Sequence, residues 1–174
     1  MRALGLACRV VEPRIEEVAD GFLTPTSLVR HNAALKADAV AARCSSGVVI
    51  AADTVVALGA RIFGKPRNPS DAARMLQALG GRTHRVYTGV CVIDLARHRR
   101  SLDVAVSRVR LRRLTPRQIA AYLAYHSPWD KAGAYAVQDV ERLIIDEVHG
   151  SLSNVIGLPL ELLQRRLRQF GVSV

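Results

Sequence analysis

The chain has 174 residues, 49% of them hydrophobic, and a formal net charge of +10, which is enough apolar material for one buried core in a single domain. No apolar run approaches the roughly 18 residues of a membrane span, and the start MRALGLACRVVEPRIEE carries acidic residues too early for a signal peptide, so a soluble, cytoplasmic protein is expected. Cys8, Cys44 and Cys91 are odd in number and widely spaced, which argues against a disulfide framework and against a CxxC zinc site.

In chain order, Leu6 to Val11 reads as a short strand, and Thr24-Pro25-Thr26-Ser27 offers N-cap chemistry for an Ala-rich helix reaching about Arg43. Val48 to Ala52 is a continuous apolar run of strand length that ends on Asp53, as expected of a strand buried on both faces. A Leu58-Gly59 turn to Arg61-Ile62-Phe63 predicts a hairpin, closed by the loop Gly64-Lys65-Pro66. Ser70 is the expected N-cap of a helix with Ala72, Met75, Leu76 and Leu79 on one face and Gly80-Gly81 as its stop.

Val86 to Leu95 and Leu102 to Leu111 flank the polar run RHRR at 97–100 and predict an antiparallel pair. Alternation in the second strand changes phase between Val106 and Val109, which predicts a bulge near Ser107-Arg108. Thr115-Pro116 opens a helix ending near His126, a loop spans residues 127–138, a strand lies near Leu143 to Val148, and a last helix carries Leu160, Leu162, Leu163 and Leu167. The mixed order of helices and strands points to an α/β fold with α+β character, built on a mixed sheet.

Asp53 is the most informative residue, because a carboxylate ending an apolar strand needs a cleft or a partner; capping a nearby turn is the plainer alternative. Lys65, held between Gly64 and Pro66, suits a phosphate group but equally suits solvent. Lys36 can snorkel at the edge of a buried face, and Glu17 can bind a metal or be one of several surface acids. Gln138 has the donor and acceptor that reading a base edge requires, and a hydrogen bond at a strand start would use the same groups. The arginine runs, at 97–100 and at Arg165, Arg166 and Arg168, lack interleaved aromatics, so solvated faces are the simpler reading and nucleic acid is a disfavoured partner. No GxxxxGK[ST], GxSxG or HExxH is present, which excludes the Walker-type, elbow-hydrolase and zincin signatures.

Taken together, ADTVV at 52–56, GKP at 64–66, GRTHRVYTG at 81–89, DKAGAY at 130–135 with Gln138, and NVIGLP at 154–159 resemble the Maf family of nucleoside triphosphate pyrophosphatases. The resemblance implies an elongated sheet flanked by helices, with two lobes around a cleft as in inosine triphosphatases, and hydrolysis of a nucleoside triphosphate to monophosphate and pyrophosphate. It puts Asp53 in the catalytic position and Glu17 with Asp53 on a divalent cation, Mg2+ or Mn2+. Lys36, Lys65 and Lys131 fall on the substrate, and Thr54 and Gln138 on positions linked to base selection. The DKAGAY stretch resembles the branch preferring dTTP and UTP. A homodimer and links to septum formation and nucleotide house-cleaning are family-level expectations. The family's first strand and its Ser-x-x-Arg-Arg phosphate-binding loop have no counterpart in this sequence, so a start placed downstream of the natural one is expected, with a catalytically impaired nucleotide-binding or cell-division-partner protein as the alternative reading.

Overall fold

The computed structural model describes residues 4–19, 23–126, 128–137 and 144–174. Its helices are α1 (Pro25–Ala41), α2 (Pro69–Leu79), α3 (Pro116–Tyr125), α4 (Leu152–Ile156) and α5 (Leu160–Gln169). Its strands are β1 (Val48–Leu58), β2 (Arg61–Phe63), β3 (Thr83–Asp94), β4 (Arg99–Leu111) and β5 (Ile145–His149), in the spatial order β2-β1-β3-β4-β5. The α/β class with helices flanking one sheet holds. All described strand pairs are antiparallel, so the sheet itself is not mixed in direction. The short turns joining β1 to β2 and β3 to β4 permit only that direction.

Each face of the sheet has its own cover. Odd-numbered residues of β1 and β3 meet α1, where Ala33 and Ala37 pack on Val49 and Cys91, and Leu28 and Val29 on Val55. On the opposite face, Val56, Val86, Val109 and Leu111 join α2 and α3, while Val90 and Val92 meet Leu163 and Leu167 of α5 and Phe170 just after it. Two-sided burial of β1 and β3 is what their apolar runs demand.

Local chemistry sets the helix ends. The Thr24 hydroxyl accepts from the Ser27 N–H, and Thr115 with Gln118 completes a reciprocal capping box. The cap of α2 is Asn68 rather than Ser70: Pro69 takes the first helical position and the Asn68 side chain accepts from the Asp71 N–H. In the NVIGLP stretch, buried Asn154 donates to the Val86 carbonyl at 3.2 Å and to Ser107 Oγ at 3.0 Å, and Gly157 ends α4 at φ 109°.

Three further expectations need correction. Residues Leu6 to Val11 form no strand; they join no ladder, and Val10 is 93% exposed. The Ser107-Arg108 pairing with β3 is regular, and the irregularity lies between Arg110 and Leu111 against β5. The apparent change of phase in β4 is a change in which face is covered, from the α1 side at Leu102 and Val104 to the α2 and α3 side at Val109 and Leu111. Finally, β1 does not end at Asp53 but runs five residues further, because Asp53 pairs with Gly89 and Thr54 with Thr88.

Candidate active site

Strand β2 pairs with β1 only through Val56, Ala57 and Leu58, and among the described residues no strand covers the rest of that edge. A cavity of about 850 Å3 lies along it, within the size range of roughly 300–1,000 Å3 usual for ligand pockets. Because the cavity wraps around an edge, residues from both faces of β1 reach it. Its walls differ accordingly. On the α1 side stand Glu17, Asn32, Lys36 and Asp53, and on the other side Val56, Phe63, Met75, Val86, Tyr135 and Val155.

Asp53 is 5% exposed and points at α1. Lys36 Nζ lies 2.6 Å from Asp53 Oδ1 and 2.9 Å from Glu17 Oε1, so one ammonium bridges two carboxylates. Lys65 Nζ stands 3.6 Å from the same Glu17 oxygen and is far more exposed. Burial opposes ionisation of Glu17, but the hydrogen bond and charge of Lys36, with Lys65 beyond, outweigh it and hold the carboxyl below its ordinary range. Burial likewise opposes the charge on Lys36, and Asp53 followed by Glu17 overcomes it and raises the ammonium above its usual value.

Asn32 belongs to this cluster although no motif marks it. Its Oδ1 accepts from the Val18 N–H at 2.9 Å, its Nδ2 donates to the Val18 carbonyl at 3.0 Å, and the same Nδ2 reaches Asp53 Oδ2 at 3.4 Å. One buried amide thus fixes the segment that carries Glu17 and also touches Asp53. The available signal was a polar residue in the middle of an Ala-rich helix, three residues after Val29 and four before Lys36 on the same stripe.

Thr54 projects from the other face of β1. Its Oγ1 is 2.9 Å from that of Thr88, which in turn donates to the Asn154 carbonyl at 3.2 Å, so the side chain is tied to α4 and still lines the cavity. Lys131 also lines it, with Nζ 2.6 Å from Asp130 Oδ2. Asp71 lines the cavity as well, and the Arg67 N–H and guanidinium, helped by Arg74, hold its carboxyl at about 2. The structure therefore brings Glu17, Lys36, Asp53, Thr54, Lys65 and Lys131 to one cavity, while Gln138 lies outside the described residues. The described residues hold no group of three or more His, Cys, Asp or Glu side chains suited to a metal, and no helix among them is long and apolar enough to cross a membrane.

A family model described as "Maf-like protein" matches residues 1–170. The chain is 44% identical over 171 residues to a "dTTP/UTP pyrophosphatase" of Moorella thermoacetica, an alignment covering 98% of this chain and 88% of that protein. It is 43% identical over 167 residues to a protein of the same description from Gloeobacter violaceus, covering 96% and 87%, and 41% identical over 174 residues to one from Pelotomaculum thermopropionicum, covering 100% and 91%.

Proposed function

The chain belongs to the Maf-like protein family, and from that premise we propose that it is a nucleoside triphosphate pyrophosphatase acting on dTTP and UTP in the cytoplasm. The observation that carries this reading is the division of one cavity into a charged wall, with Asp53, Glu17, Lys36 and Lys65, and an apolar wall around Val56, Tyr135 and Val155. A nucleotide has the same two-part character. Its phosphates suit the charged wall and a pyrimidine ring suits the apolar one, with Thr54 at the divide.

In the proposed reaction the oxygen of a water molecule attacks the α-phosphorus, the bond from that phosphorus to the bridging oxygen breaks, and pyrophosphate leaves. Asp53 takes the proton of the attacking water. Lys65, the more exposed lysine, neutralises charge that develops on the phosphate oxygens, and Lys36 keeps Glu17 ionised and holds both Glu17 and Asp53 in place. Lys131 approaches the substrate from the loop side of the cavity.

The donor set also fits a divalent cation. Asp53 and Glu17 offer two hard carboxylates joined through one ammonium, and magnesium or manganese commonly takes one or two protein carboxylates and completes its shell with water and substrate phosphates. Bound there, the cation would offset phosphate charge. Asp53 and Glu17 are the residues that would hold it.

The test is release of pyrophosphate from dTTP, UTP, CTP and GTP with magnesium or manganese, for this chain beside Asp53→Asn. Release from dTTP and UTP that is lost by at least about a hundredfold in the variant is expected for removal of a proton acceptor. A folded chain that binds UTP and releases nothing would instead favour a binding protein.

A further inference from the structure

We propose that Arg61 is a substrate-contacting residue that grips the phosphate chain of the nucleotide, an assignment resting on the pyrophosphatase reading above. The argument begins with the cations around the cavity. Lys36 is shared by Asp53 and Glu17, Lys65 faces Glu17, Arg67 is paired with Asp71, and Lys131 with Asp130. Arg61 lines the same cavity, and among the described residues it has no acid within ion-pairing distance. Among the described residues of the cavity it is therefore the cation whose charge is not already offset, and a polyanion entering the cavity meets it without first displacing a carboxylate.

Position supports the same assignment. Arg61 sits on β2 opposite Leu58, at the far end of the hairpin from Asp53. Its guanidinium lies 4.6 Å from the ring centroid of Phe63, a residue that pairs with Val56. The side chain thus folds back along the hairpin toward the open edge of β1, on the face that carries Val56. Val56 is three residues from Asp53, about 10 Å at the ~3.3 Å rise of a strand. The Phe63 ring is almost wholly buried and cannot move aside, so its face acts as a shelf that orders the guanidinium before any ligand arrives. Pre-ordering matters because an arginine loses much side-chain freedom on binding, and a fork already in place loses less. An arginine serving only solubility has no need of this shelf inside a cavity.

The experiment uses the whole chain and its variants Arg61→Gln and Arg61→Lys. Calorimetry with inorganic tripolyphosphate reads the grip directly, and steady-state release of pyrophosphate from UTP reads it in turnover. For Arg61→Gln we expect tripolyphosphate affinity to fall and KM for UTP to rise, each by about tenfold, the size of one charge-assisted hydrogen bond, with kcat little changed. Arg61→Lys should recover part of both, and neither variant should shift the unfolding temperature, which separates this role from support of Phe63. Unchanged tripolyphosphate binding in Arg61→Gln overturns the assignment, as does failure of the unsubstituted chain to bind tripolyphosphate. If that chain binds tripolyphosphate but hydrolyses no nucleotide, the pyrophosphatase reading fails, and the comparison with Arg61→Gln still decides the role of Arg61.

Discussion

Gly89 of β3 and Val29 of α1 touch backbone to backbone: a Cβ placed on Gly89 would fall 2.2 Å from the Val29 carbonyl oxygen. Gly89 is also the cross-strand partner of Asp53, and Asn32 and Lys36 follow Val29 along the same stripe of α1. The missing side chain is what lets the helix lie close enough for both residues to reach the carboxylate. Gly89→Ala should therefore lift α1 from the sheet, costing at least about 1–3 kcal/mol of stability as overpacking does. Urea unfolding checks the cost. Pyrophosphate release measured at a temperature where the variant remains folded should fall as well, and normal turnover there would break the link between helix approach and activity.

Asn32→Ala removes the amide that satisfies both backbone groups of Val18 and contacts Asp53. Leaving partly buried polar groups without partners costs about 1–3 kcal/mol. Glu17 loses its anchor in the same change, so turnover should drop further than stability predicts. The check is to compare kcat with the unfolding midpoint: a loss of stability with unaltered kcat would show that the Val18 clamp does not serve the site.

The two lysines on Glu17 should respond differently to Met. Lys36 is 15% exposed and bridges two carboxylates, one of them on nearly buried Asp53, so Lys36→Met strands a buried charge and should cost about 3 kcal/mol. Lys65 is 57% exposed at 3.6 Å, and Lys65→Met should cost less than about 1 kcal/mol. Both should slow pyrophosphate release. Equal stability losses in denaturant titrations would contradict this division between a structural and a substrate-facing ammonium.

What could be read from the sequence was local. Thr24 and Thr115 start their helices and Gly80 stops one because capping depends on residues within a few positions. The two-sided apolar run from Val48 likewise announces a central strand. Misreadings arose where distant residues decide. Asp53 looks like a strand end until Gly89, 36 positions later in the numbering, pairs with it, and Asn32 gains meaning only from Val18 and Asp53. Leu6 to Val11 has strand composition but no neighbouring strand to pair with among the described residues. The site was legible mainly through motif resemblance, since nothing about a lone lysine at 36 or 65 says that both meet Glu17.

The buried pair His84 and Tyr135 gives the protein a pH signature separate from its carboxylates. His84 Nε2 lies 2.7 Å from the Tyr135 hydroxyl and His84 Nδ1 has no hydrogen-bond partner among the described residues, while burial pushes the imidazole down to about 4 from its ordinary 6.5. Burial also raises the Tyr135 phenol, so it stays neutral across this range. The unfolded chain then binds a proton between pH 6.5 and 4 that the folded protein refuses, so stability is full above 6.5, declines as pH falls toward 4, and levels off below. At about 1.4 kcal/mol per unit the full loss is about 3 kcal/mol. Glu17 and Asp71, whose carboxyls are held low, lose their contributions only at lower pH, Asp71 as pH falls toward about 2. Urea midpoints measured from pH 7 to pH 4 should therefore slope downward, and His84→Gln, which can still hydrogen-bond Tyr135 but cannot titrate, should flatten the slope. An unchanged slope in the variant would place the acid sensitivity on other groups.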